Sequence, residues 1–242
     1  MEISLIDLEN DIRKRILKRL SKLDFTPYEV KEFYIGGNSL NEPEPNDFDL
    51  FPIVENQFEH LDNKVEGYIH KTANAITYEN NGEIVQFCKH YKESLEKLIE
   101  GFDFAHIKVG AHIRVSLGSE HWARRIEIVK VYISPDYVAS RILKRSFYTG
   151  NEDNYPISSI ARAFKYHARG DIENPWDVLL EILTHLIRRG FKGYKDFLEQ
   201  MDAIDIQMVD EERIKDRSLL ARQLFELLKK PETPTHFDDG DM

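Results

Sequence analysis

The hydrophobic period of this 242-residue chain changes once, near residue 135, and that change limits the folds open to it. Before it, runs with a two-residue period alternate with runs at helical spacing; after it, nearly every apolar run has helical spacing. The expected class is therefore α+β, a mixed β-sheet core with flanking helices followed by a helical C-terminal half. Residues 5–22 carry Leu5, Leu8, Ile12, Ile16 and Leu20 at helical spacing, with Arg and Lys between. Residues 29–35 alternate and run into Gly36-Gly37, as a strand entering a turn does. Residues 47–54 read as a second strand, with Pro52 near its end or on an edge. Residues 57–71 have helical spacing. "AITYENNGEIVQFC" is a hairpin pattern, two β-rich runs around Asn81-Gly82, a pair that accepts the positive φ of a tight turn. "YKESLEKLIE" reads as a helix stopped by Gly101, and "FDFAHIKVGAHIRVSL" and "ARRIEIVKVYI" as further strands.

Beyond residue 134 the punctuation is that of helices. "SPDYVASRILKR" opens with a Ser cap, Pro at the first position and acid in the first turn. "SSIARAFKYHARG" has capping serines and a closing glycine, and "NPWDVLLEILTHLIRRG" repeats the scheme. Trp176 in that run is expected in the core of the helical half. Residues 209–230 form a last amphipathic pattern. The acidic tail 231–242 has little to bury and is expected to be disordered. These features divide the chain into 1–134, 135–230 and 231–242.

Bulk properties exclude several classes. No apolar run approaches the roughly 20 residues that span a bilayer, and the charged N-terminus lacks the h-region of a signal peptide. A single cysteine, Cys88, permits no internal disulfide and fits a reducing, cytoplasmic setting, with a buried structural thiol the expectation. The formal net charge of −10 argues against coating long nucleic acid by bulk electrostatics. Against that background, Arg141, Lys144, Arg145, Arg162, Lys165 and Arg169 form a basic cluster opposed only by Glu152 and Asp153. Arg162, Lys165 and Arg169 share one helical sector with Ser158 and are candidates to hold a triphosphate or an RNA end. A solvated helix face is the ordinary alternative. In that helix Ile157, Ile160, Ala161 and Phe164 supply the apolar side. His106, His112 and His121 match no zinc spacing, and no phosphate-binding "GxxxxGK" loop is present.

The chemistry concentrates in "YIGGNSLNEPEPNDFDLFP", residues 34–52. On a strand, Asp47 and Asp49 point to one face while Phe48 points to the other. Two carboxylates on one face repel, and a divalent cation offsets that cost. Mg²⁺ (or Mn²⁺) typically takes one or two carboxylates plus substrate phosphates. Gly36 and Gly37 leave a bare backbone that an anion can approach closely.

Apolar-Gly-Gly, about ten residues, then Asp-apolar-Asp-apolar resembles the signature of the polymerase-beta-type nucleotidyltransferase superfamily. "YIGGNSL" matches its glycine turn and "NDFDLF" its metal-binding pair. "FDFAHIKVG" and "YPISSIARAFKYHARGD" resemble stretches of nucleotidyltransferase-like proteins of phages and plasmids. The resemblance implies two Mg²⁺ ions and transfer of a nucleoside monophosphate from an NTP to a hydroxyl on an RNA 3′ end, a protein or a small molecule. It implies phosphate contacts from Asn38 and Ser39, and a helical half that holds substrate. It also implies a third carboxylate on a neighbouring strand. If that strand is "EIVQFC", its central residue is Gln86, which neither binds a metal strongly nor takes a proton. Asp103, framed by two phenylalanines, and Glu127 are the candidates left, Asp103 preferred. Without a third acid, the alternative is a catalytically inactive nucleotide- or RNA-binding regulator, such as one component of a toxin–antitoxin pair.

Overall fold

A computed structural model describes residues 4–40, 47–61, 67–71, 75–117, 124–151 and 154–202. The segment 209–230, the tail 231–242 and His121 lie outside them. By Cα packing the chain forms two compact units, residues 1–154 with 169–173, and residues 155–168 with 174–242.

The first unit is built on one seven-stranded mixed sheet. Its strands are β1 (Glu32–Gly36), β2 (Asp47–Phe51), β3 (Tyr68–Lys71), β4 (Ala75–Asn80), β5 (Glu83–Cys88), β6 (Val109–Leu117) and β7 (Arg124–Ile133), in the order β3-β4-β5-β2-β1-β6-β7. β2 and β5 pair in parallel, and every other neighbouring pair is antiparallel. The mixed α+β class is therefore as the hydrophobic periods predict. The Asn81-Gly82 hairpin forms, both residues at positive φ (53° and 81°), as the tight turn demands.

One sheet face packs on helix α1 (Leu5–Leu20). Leu8, Ile12, Ile16 and Leu20 meet Phe33, Ile35, Phe48, Leu50, Val85 and Phe87 in the main core. Ser4 caps α1, its hydroxyl accepting from Asp7 N–H, which leaves Leu5 outside the core stripe and exposed. The opposite face is partly covered by helix α2 (Leu95–Glu100). There Leu95, Leu98 and Ile99 form a second core with Tyr34, and Phe51, Phe102 and Tyr132 pack against it.

A notch in the sheet admits α2. Gly36 of β1 lies opposite Gly110 of β6. A Cβ on Gly36 would stand 2.7 Å from Ile99 Cδ1, and one on Gly110 would stand 2.9 Å from the carbonyl oxygen of Ile35. Backbone cannot yield as a side-chain tip can. Gly110→Ala is therefore expected to cost about 1–3 kcal/mol by overpacking, read as a lowered urea midpoint. Ile99→Ala in the same chain should recover little, because the Ile35 carbonyl stays in place. Unchanged stability in Gly110→Ala would refute the notch.

Helix α3 (Pro135–Leu143), capped by Ser134 as its sequence predicts, packs within the first unit, which runs on to Asn154. Lys108 is buried and pairs with Glu100 of α2 (3.2 Å) and Asp136 of α3 (3.0 Å). Two sequence expectations are corrected here. Residues 68–71 are not helical but form β3, an exposed edge strand whose hydrogen bonds come from β4. The strand expected from residue 102 begins only at Val109, and Asp103 precedes a 3₁₀ turn, Ala105–Ile107.

The second unit contains α4 (Pro156–Arg169, its last residue grouped with the first unit), α5 (Pro175–Arg189) and α6 (Tyr194–Asp202). Asn174 caps α5, and Gly190 ends it at φ +64°. At the junction of α5 and α6, Arg189 donates two 2.8 Å bonds to the Asp196 carboxylate, which also accepts from Lys192 N–H and Gln200 Nε2. The Arg189 hydrogen bonds bring the Asp196 pKa down to about 2. On α4 the buried residues are Pro156, Ser158, Ser159, Ala163 and Tyr166, not Phe164, which is exposed. Trp176 is not a core residue either. Pro175, Val178, Leu179 and Ile182 fill the inner face of α5, and Trp176 lies on the other face.

Candidate functional site

β2 alternates as its sequence predicts. Phe48 and Leu50 are fully buried against the α1 side, while Asp47 and Asp49 are half-buried on the opposite face. That face also carries Phe51, which packs against the α2 core. Both carboxylates act on one neighbour: burial first, then Asp49, then Asp47, push the Cys88 thiol well above its usual range. Both effects favour the neutral thiol, in keeping with a structural role for Cys88.

The glycine turn and the carboxylates are locked together. β1 ends at Gly36, and Gly37–Leu40 form one 3₁₀ turn entered at φ +70°. Ser39 in that turn is buried, and its hydroxyl accepts from the backbone N–H of Asp49 at 2.9 Å. The Ser39 side chain therefore braces β2 from within, while Asn38 stands half-exposed on the turn. On the far side, Arg15 and Arg19 of α1 donate to the carbonyls of Leu40 (2.6 Å) and Ser39 (2.8 Å). Arg19 is itself buried, its guanidinium 3.8 Å from the centre of the Phe48 ring. Both arginines position the turn, and nothing was expected of them from sequence. The available signal was Arg19 itself, a charge beside Leu20 at the apolar edge of α1. Gly36 needs no ligand to explain it, because Ile99 occupies the space its side chain would take. Gly37 is needed for its backbone angle.

The residue beside Asp49 on the neighbouring strand is Gln86. The parallel register sets Asp47 against Ile84 and Asp49 against Gln86. The Gln86 amide donates to Thr77 Oγ1 at 3.4 Å, and its oxygen accepts from Cys88. The other neighbour of β2 is β1, whose one acid, Glu32, stands at the far end of the strand and pairs with Arg114 at 2.9 Å. Glu127 lies on β7, with β1 and β6 between it and β2, and pairs with Arg114 at 3.6 Å. Asp103 is buried, its carbonyl accepting from Thr149 N–H. Its charge is felt by His106, whose pKa burial brings down to about 4 and Asp103 partly offsets. His106 Nδ1 meets Ser146 Oγ at 2.5 Å. Among the described residues no three His, Cys, Asp or Glu side chains converge in a group that could hold a metal ion.

The donor set still fits a hard cation. Two half-exposed carboxylates with an amide oxygen alongside are oxygen ligands of the kind Mg²⁺ and Mn²⁺ prefer, and open positions remain for water and phosphate.

Of the basic candidates, Arg162 and Lys165 belong to the second unit and Arg169 to the first. Arg162 donates to Ser158 Oγ (2.7 Å) and Ser159 Oγ (3.3 Å) within α4. No helix among the described residues is long and apolar enough to cross a membrane.

No family model matches the chain, and no curated protein matches it. Among solved structures, the Thermotoga maritima CCA-adding enzyme complexed with tRNA aligns over 96% of this chain and 55% of its own, at 11% identity and TM-score 0.41. This chain thus spans about half the length of that enzyme. A tRNA-processing enzyme in an apo form aligns over 95% of this chain and 79% of its own, at 12% identity and TM-score 0.38. Likenesses this distant assign no activity.

Proposed function

We propose that this chain binds a nucleoside triphosphate as its divalent-metal complex at Asp47, Asp49 and the Gly37–Leu40 turn, and transfers the nucleoside monophosphate to a hydroxyl acceptor. The observation that carries this reading is the bond from Asp49 N–H to Ser39 Oγ. It fixes a tight, bare-backbone turn against the strand that displays the two carboxylates. Together they make a cradle for a metal-bound polyphosphate.

In this reading Asp47 and Asp49 hold the cation. When bound, the ion neutralises phosphate charge and polarises the phosphoryl oxygens. The chain contributes position. Arg15 and Arg19 hold the turn from behind through its carbonyls, and Ser39 sets its spacing to β2. Asn38 stands on the turn within reach of a phosphate. Catalysis of this kind rests on alignment and preorganised charge.

A second reading is favoured by Gln86. An amide beside Asp49 cannot take the acceptor's proton. A chain that binds the nucleotide without turning it over satisfies the same geometry. One experiment separates the two: thermal scans with each of the four NTPs, with and without Mg²⁺ or Mn²⁺, followed by assay of pyrophosphate release with RNA 3′-end, protein and small-molecule acceptors. Metal-dependent stabilisation with pyrophosphate release supports transfer. Stabilisation without release supports a binding module. No stabilisation by any NTP would overturn both.

A further inference from the structure

We propose that the outer face of α5 pairs two copies of this chain, antiparallel and about a two-fold axis. Trp176, Leu180, Leu183 and Ile187 are 73%, 68%, 44% and 70% exposed, although the helix already buries Val178, Leu179 and Ile182 on its inner side. A helix apolar on both sides is one with partners on both sides. Four large exposed apolar residues in one line are a docking surface rather than scattered surface hydrophobics.

The line itself names the partner. Its spacings are four, three and four, the a/d seam of a coiled coil. That spacing reads the same in both directions. When α5 meets a second α5 antiparallel, Trp176 therefore faces Ile187 of the second copy and Leu180 faces its Leu183, with both pairs repeated by the symmetry. Large meets small at each end, and the two leucine pairs fill the centre.

Charge settles direction. Asp177 and Arg188 are exposed and flank the same side of the seam, about 20° apart around the helix at roughly 100° per residue. A two-fold axis perpendicular to the helices keeps that flank on one side and reverses its order. Asp177 of each copy then lies within a turn of Arg188 of the other, giving two equivalent ion pairs. A parallel pairing would set Trp176 against Trp176 and carry the two charged flanks to opposite sides of the pair, so that neither Asp177 nor Arg188 would meet its opposite charge across the seam. The seam is thus complementary to itself in one orientation only, as an isologous interface requires.

The test uses the full chain. Sedimentation equilibrium of the parent should show a concentration-dependent monomer–dimer equilibrium. Asp177→Arg and Arg188→Asp should each weaken dimerisation about tenfold, because each variant loses two attractive pairs and gains two repulsive ones. The double variant Asp177→Arg/Arg188→Asp should return to within about threefold of the parent, since each new arginine meets a new aspartate. Both sites are exposed, so folding should survive, and far-UV circular dichroism checks this. In a Trp122→Phe background, Trp176 emission should shift to the blue as dimer forms. A parent that stays monomeric at all concentrations overturns the proposal. If Trp176 is shielded from acrylamide in that monomer, residues 203–242 of the same chain cover the seam instead. A dimer that the double variant fails to restore overturns the antiparallel register.

Discussion

Asp47→Asn with Asp49→Asn is expected to abolish the metal-dependent stabilisation by nucleotide while leaving the unliganded chain folded and slightly more stable. The reason for the gain is local. The two carboxylates are two residues apart on one strand face, about 7 Å between side-chain origins. At an effective dielectric constant between that of a protein surface and water, their repulsion is on the order of 1 kcal/mol. Removing both charges removes that cost without emptying the core, because Phe48 and Leu50 point the other way. The loss on the ligand side is larger. A ligand at a hundred times its Kd stabilises by about 2.7 kcal/mol, which in a protein of this size raises Tm by about 5–10 °C. That shift should be present in the parent with NTP and Mg²⁺ and absent in the variant, at equal far-UV circular dichroism. An unliganded variant that melts well below the parent would mean the pair is structural. A variant that keeps the full shift would place the nucleotide elsewhere.

Asp196→Ala should be the most damaging single change in the second unit, costing about 3–5 kcal/mol, the range for stranding a buried charge. Arg189 is only 5% exposed and gives both its forks to Asp196. Without the carboxylate, the guanidinium stays buried without both Asp196 bonds, keeping the Gly190 carbonyl at 3.2 Å. The same pair sets a pH response. The folded pKa of Asp196, about 2, lies below the ordinary aspartate value of 3.8. Its contribution is thus fully present above about pH 4 and is lost as pH falls through the folded value, worth about 2 kcal/mol in all. Hydrogen exchange of α5 and α6 amides isolates this unit from the sheet unit. Protection in Asp196→Ala within about 1 kcal/mol of the parent would refute the lock.

What was legible in the sequence was local. The Ser134 and Asn174 caps, the Asn81-Gly82 hairpin and the alternation of β2 are each decided within a few residues, and each stands as read. What was not legible depends on distant partners. Asp103 looks strand-borne between two phenylalanines, yet Phe104 pairs with Tyr148, more than forty residues on, and the intervening chain turns. Residues 68–71 have no strand signal of their own and become one because β4 offers its edge. Gly36 suggests a ligand until Ile99 is seen to fill its space. Gln86 is the instructive case. The resemblance places it at the third-acid position of a neighbouring strand, and the parallel pairing of β2 with β5 sets it beside Asp49, although with a hairpin between the two strands no local pattern encodes that pairing.

The position of β2 as the fourth of seven strands has a kinetic consequence. Central strands open only with global unfolding, so their amides exchange slowest and their geometry fluctuates least. Asp47 and Asp49 are mounted on that part of the molecule and tied from behind by Arg15 and Arg19 through the turn. The carboxylate spacing therefore exists before any ligand arrives, and little ordering entropy is left for binding to supply. Association at this face should accordingly run in a single phase, with a rate that rises linearly with ligand concentration and does not saturate at a slow rearrangement.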